Sequence, residues 1–129
     1  MSNLIEFSRG DGANHTFSMP TSSWSAGGKL FFAAKAIVDD DTTDVNAVIQ
    51  GSWDDTVVTN VVINAVAYKQ YACYFPPAAT NTIISNGASV LSYVGEFQYI
   101  PNTGVPVTFP ATDQKLDVAL YIDIKRGIV

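Results

Sequence analysis

The segment Leu116-Asp117-Val118-Ala119-Leu120-Tyr121-Ile122-Asp123-Ile124-Lys125 sets Leu116, Val118, Leu120, Ile122 and Ile124 against Asp117, Ala119, Tyr121, Asp123 and Lys125. An alternation of period two sends one set to each side of an extended chain, so the segment reads as a strand with one face buried and one wet. The same reading extends upstream. Residues 29–38 place Leu30, Phe32, Ala34 and Ala36 on one face, with Phe31, Ala33, Lys35 and Ile37 on the other. Residues 57–65 alternate Val57, Thr59, Val61 and Ile63 with Val58, Asn60, Val62 and Asn64. Further strands are expected over 3–8, 14–19, 45–50, 69–75 and 89–100, the last with Leu91, Tyr93, Phe97 and Tyr99 on a common face. Turn-forming clusters fall between them: Gly10 to Gly12, Gly27-Gly28, Asp39 to Thr43, Pro76-Pro77, Asn86-Gly87 and Asn102 to Gly104. No stretch carries a sustained helical stripe with caps, although residues 61–72 would tolerate a turn or two of helix. One all-β domain over residues 1–129 is therefore expected, a two-sheet antiparallel sandwich of about eight strands, immunoglobulin-like with a jelly roll as the alternative.

Composition narrows the function classes. The chain has 129 residues, enough to bury one sizeable core, and is 47% apolar but only 15% charged. Its net charge of -5, with seven scattered basic residues, argues against nucleic acid, because phosphate binding needs clustered Lys and Arg. The opening MSNLIEFSRGDG lacks a basic region followed by an apolar run, so no cleaved secretory signal is expected and synthesis is placed in a cytoplasm. The longest uncharged stretches contain Pro, Ser and Asn, which excludes a helical membrane span.

Catalytic and metal chemistry are poorly served, and no cofactor is expected. His15 is the sole histidine and Cys73 the sole cysteine, too few for the usual zinc ligand sets. Gly27-Gly28-Lys29 is followed by Leu30, where a phosphate loop requires Ser or Thr. Cys73 lies among Tyr71, Tyr74 and Phe75 and reads as a buried, inert thiol. Asp39, Asp40, Asp41 and Asp44 form the one constellation with calcium-like hard oxygens, yet they lack the glycine and distal Glu of an EF-hand and read first as a solvated turn. Asp54-Asp55 makes a second acidic turn. Arg9-Gly10-Asp11 spells an integrin-type tripeptide that chance and turn-forming chemistry explain better, and Asn14-His15-Thr16 matches a glycosylation acceptor without consequence in a cytoplasm. Trp24 and Trp53 flank polar turns and could stack on sugar rings, or else cover the ends of a small core.

A charge desert is the most informative negative feature. From Gln70 through Thr112 there is one carboxylate, Glu96, and no Lys or Arg. The stretch also holds Tyr71, Tyr74, Phe75, Tyr93, Phe97, Tyr99 and Phe109. Interface cores are depleted in charge and enriched in aromatics, so these residues are expected to form a docking face, although the same aromatics would also fill a core.

Four segments carry a family resemblance: FSRGDGANHTFSM at the start, GKLFFAAKAIV leading into DDDTTDVNAVIQ, then YVGEFQYI, and finally KLDVALYIDI. In this order they resemble the N-terminal immunoglobulin-like domains of siphophage upper baseplate proteins, with Gly12 where that family carries Thr. The resemblance implies a virion structural protein without enzymatic activity, a capsid decoration or a tail or baseplate adaptor component. It also implies assembly in the host cytoplasm with other virion proteins, as a homo-oligomer or docked on a symmetric lattice. The rival from another class is a small carbohydrate-binding module using Trp24 and Trp53, with calcium at Asp39, Asp41 and Asp44. A third, weaker reading is an enzyme with its chemistry at His15 and the acidic turns.

Overall fold

A computed structural model describes residues 4–36, 47–84, 87–109 and 116–122, with the backbone alone at 108–109. Its strands are β1 (Leu4–Ser8), β2 (Ala13–Pro20), β3 (Lys29–Lys35), β4 (Ile49–Trp53) and β5 (Val58–Ile63). They continue with β6 (Val66–Phe75), β7 (Val90–Ile100), β8 (Val107–Phe109) and β9 (Leu116–Tyr121). The large sheet runs β1-β9-β7-β3-β4, with β8 also on β7, and the small sheet runs β2-β6-β5. β7 takes β3 along one side, and along the other it is shared end to end by β9 and β8. The order β9-β7-β3-β4 facing β2-β6-β5 is that of a variable-type immunoglobulin sandwich, strands G-F-C-C′ against B-E-D.

Two details depart from the expectation. The pairing is antiparallel throughout the described residues except between β1 and β9, which run parallel from Leu4↔Asp117 to Ser8↔Tyr121. β1 and β2 lie in different sheets, so the turn at Arg9 to Gly12 is a crossing between layers and β1 meets the free edge of β9 running the same way. Of the expected strand over 45–50, residues 45–46 lie outside the described residues and the strand found there is Ile49–Trp53; residues 61–72, allowed a helical turn by the sequence, are strand, turn and strand. β-branched Val61, Val62, Ile63 and Val66 favour that outcome.

The core follows the alternation. Leu30, Phe32 and Ala34 point inward from β3, Phe97 and Tyr99 from β7, Val118 and Leu120 from β9, and Tyr71, Cys73 and Phe75 from β6. Phe7, Phe32, Phe75 and Phe97 pack as an aromatic cluster, with Phe7 edge-on to Phe75 at 4.9 Å and Phe32 edge-on to Phe75 at 5.4 Å. Each such pair contributes about 0.5–1.5 kcal/mol beyond the area it buries.

Candidate interaction face

The sequence expected a docking face built from desert aromatics, and the structure corrects most of it. Tyr71, Phe75, Phe97 and Tyr99 are 0%, 1%, 4% and 0% exposed. They occupy the inward parity of β6 and β7, where large aromatic area is worth most, so they are core residues rather than a docking surface. Tyr93 is half-buried against that core. Tyr74 has the opposite parity and is 51% exposed, and the side chain of Phe109 lies outside the described residues.

The two outer faces of the sandwich differ sharply in charge. On the large sheet, Lys29, Lys35, Glu96, Asp117 and Glu6 share the outward parity, with Lys35 opposite Val94, Glu96 opposite Ala33, and Asp117 between Val94 and Leu4. On the small sheet the outward rows are Asn14 and Tyr74, Thr16 and Ala72, Ser18, Gln70 and Thr59, then Pro20, Tyr68 and Val61, and finally Val66 and Ile63. No Asp, Glu, Lys, Arg or His stands in those rows. Lys69, the one charge within these three strands, has the inward parity; its Nζ donates to Asn60 Oδ1 at 2.7 Å and lies 4.2 Å from the centre of the Trp24 ring.

One end of this face projects beyond the sandwich. β2 pairs with β6 only as far as Tyr68, so the β5–β6 hairpin continues past it with exposed side chains on both faces. Val62 is 70% exposed, and Ile63 and Val66 are 47% each. The two-residue turn between the strands holds Asn64 at φ 51° and Ala65 at φ 66°. This primed geometry suits Asn, but an L-residue with a Cβ is strained there, and Gly is the residue the turn ordinarily selects.

Trp24 and Trp53, the proposed sugar platform, cover different parts of the core. Trp24 Nε1 donates to Tyr71 Oη at 3.0 Å while Lys69 caps a face of its ring. Trp53 Nε1 donates to the Tyr74 carbonyl at 3.3 Å, and its ring stands edge-on to Phe75 at 5.0 Å. Gly51 makes that placement possible, because a Cβ there would come within 2.5 Å of the indole. Beside Trp24, Tyr99 Oη donates to the Ser25 carbonyl at 2.6 Å and accepts from the Ser25 N–H at 3.0 Å. Burial pushes the Tyr71 hydroxyl up to about 12, against the opposing effect of its bond from Trp24.

The remaining motifs have structural duties. Asp54 caps the short 3-10 turn Asp55–Val57, accepting from the Thr56 hydroxyl at 2.6 Å and its N–H at 3.0 Å; these bonds, the hydroxyl's first, hold its carboxyl below the usual range. Asp55 Oδ2 accepts from the Gly27 N–H at 2.8 Å, tying the two turns together. Asp39, Asp40, Asp41 and Asp44 lie outside the described residues, among which no group of three or more metal-ligating side chains occurs. Arg9 is turned inward to donate to the Ile83 carbonyl at 3.0 Å, and the Gly10 N–H reaches buried Thr80 Oγ1 at 2.9 Å. The tripeptide thus anchors the loop after β6 instead of presenting its guanidinium. His15, Glu6, Asp11, Asn14 and Tyr121 line a cavity of about 290 Å³. There His15 Nε2 meets the Glu6 carbonyl at 3.1 Å, not its carboxylate, which accepts from Tyr121 Oη at 2.9 Å. Burial pushes the Cys73 thiol up to about 12.

The uncharged face is what sequence reasoning missed. Its signal was present in the run Thr56 to Tyr68, which carries no Asp, Glu, Lys, Arg or His, but assembling the face required the register of three strands that are not all neighbours in sequence. No protein-family model, no curated protein and no solved structure matches this chain. Among the described residues no helix is long and apolar enough to cross a membrane.

Proposed function

We propose that this chain is a non-catalytic assembly domain, a virion structural protein of the capsid-decoration or tail-adaptor kind, that docks on other virion proteins through the outer face of β2, β6 and β5. The observation that carries this reading is the charge asymmetry of the sandwich. A chain with net charge -5 and charged residues on one outer face presents the other outer face with none. A solvated sheet face ordinarily carries interspersed charges, whereas an interface core is depleted in them and enriched in Tyr. Here Tyr68 and Tyr74 stand on it among Val61, Ile63 and Val66, with Thr16, Ser18, Thr59 and Gln70 offering neutral hydrogen bonds. The virion setting comes from the sequence resemblance to siphophage baseplate domains, and an all-β sandwich is compatible with it.

Particle composition tests the reading. Expressed together with the other products of its encoding genome, the chain should sediment with assembled particles, and the Tyr68→Lys/Tyr74→Lys variant should remain free while still folded. A chain that stays out of particles, or a double variant that enters them as well as the parent does, contradicts it.

A further inference from the structure

We infer that two copies of this chain pair antiparallel along β5, joining the uncharged outer faces of their small sheets into one continuous face. The inference rests on the docking reading above and names the partner for one edge of that face. Among the described residues β5 is the terminal strand of β2-β6-β5, so every second residue turns its backbone N–H and C=O away from β6, towards an edge that no described strand covers. Natural edges are usually blunted by a charge, a proline, a bulge or shortness. β1 carries Glu6, β2 ends in Pro20, and β4 is short, at 5 residues, with Gly51 at its centre. β5, Val58-Thr59-Asn60-Val61-Val62-Ile63, has no charge, proline or glycine, and its register with β6 runs unbroken over all six residues.

The chemistry of this edge fits a second copy. A partner of opposite charge would be recognised by charges; β5 and its outward neighbours supply none, and the one nearby cation, inward-facing Lys69, is taken up by Asn60 and the Trp24 ring. Two chains of net charge -5 repel one another over most of their surfaces and meet with least repulsion edge to edge at this neutral strand. Antiparallel pairing of one strand with itself is isologous and closes as a two-fold dimer, satisfying the open groups of both edges at once. With the two-fold at Val61, the Val61 side chains of the two copies face each other and each Ile63 faces the other copy's Thr59, while the exposed hairpin ends, with Val62 and Val66, flank the junction.

Sedimentation equilibrium of the full chain over a wide concentration range is the test, with circular dichroism as the fold check. The parent chain should give twice the monomer mass. Val61→Lys sets like charges across the two-fold and should weaken association by about tenfold or more, while Ser92→Lys, exposed on β7 of the large sheet, should leave the dimer unchanged. If Val61→Lys does not fold, exposed Thr59→Lys takes its place. Concentration-dependent protection of the β5 amides in hydrogen exchange is the independent readout. A parent chain that is monomeric throughout, or dimers that persist in both edge variants, overturns the inference. A monomer that still sediments with particles removes the β5 pairing alone, whereas a dimer that stays out of particles upholds the pairing and removes only the docking reading.

Discussion

Gly28→Ala should cost this sandwich a large part of its stability through a residue it does not alter. A Cβ at position 28 would lie 2.2 Å from Tyr99 Oη, 2.6 Å from its Cζ and 3.0 Å from the Ile100 carbonyl. Tyr99 is fully buried, so its ring has nowhere to retreat without disturbing the core. The hydroxyl would leave both hydrogen bonds to Ser25, each worth about 1 kcal/mol net. Forcing the ring into neighbouring packing adds about 1–3 kcal/mol. The expected loss is therefore about 3–5 kcal/mol, and at about 4 °C per kcal/mol for a chain of this length the melting midpoint should fall by roughly 10–20 °C. Thermal unfolding followed by circular dichroism reads this directly. Tyr99→Phe alone should cost about 2 kcal/mol, the two bonds without the overpacking. The double variant should cost less than the two single losses added together, because the atom nearest the new methyl is gone. Strict additivity, or a midpoint within a degree or two of the parent for Gly28→Ala, would refute the packing described for this end of the sandwich.

Other outcomes follow from the same geometry. Ala65→Gly should stabilise the chain by about 1 kcal/mol, since glycine adopts positive φ without a Cβ clash, and a lowered denaturation midpoint would contradict the hairpin turn. Cys73 should resist Ellman's reagent in the folded chain at mildly alkaline pH and react fully in denaturant; rapid native reaction would contradict its burial. His15 is held below its ordinary value of 6.5, chiefly by burial, with its contact to the Glu6 carbonyl opposing. The unfolded state then binds the proton more readily, so stability should fall as pH drops from about 6.5 towards the folded value, and His15→Gln should flatten that slope, as followed by urea midpoints. Tyr71→Lys should abolish folding while Tyr68→Lys leaves the melting midpoint within a few degrees, a contrast that checks the parity of β6.

The fold was readable because alternation survives without tertiary knowledge. Leu30, Phe32 and Ala34, and Val118 and Leu120, turn inward as their spacing requires, and Leu91, Tyr93, Phe97 and Tyr99 do share the inner face of β7. The site was less readable, for a physical reason. Low charge and aromatic enrichment mark cores and interfaces alike, so Tyr71, Phe75, Phe97 and Tyr99 satisfied the interface pattern while belonging to the interior. Tyr68 and Tyr74 differ from Tyr71 only in parity and neighbours, and their neighbours across the sheet come from β2 and β5. Burial in β5 also breaks the period-two expectation, because its second half overhangs the sandwich and both sides of the strand stay wet.

Side-chain footprinting with hydroxyl radicals, comparing free chain with particle-bound chain, measures the docking face most directly. Oxidation of Tyr68, Tyr74, Val61 and Ile63 should fall on assembly, while Phe31 and Tyr121, of outward parity on the large sheet, should react as before. Protection of Phe31 and Tyr121 with Tyr68 and Tyr74 unchanged would place the contact on the charged face and contradict the assignment.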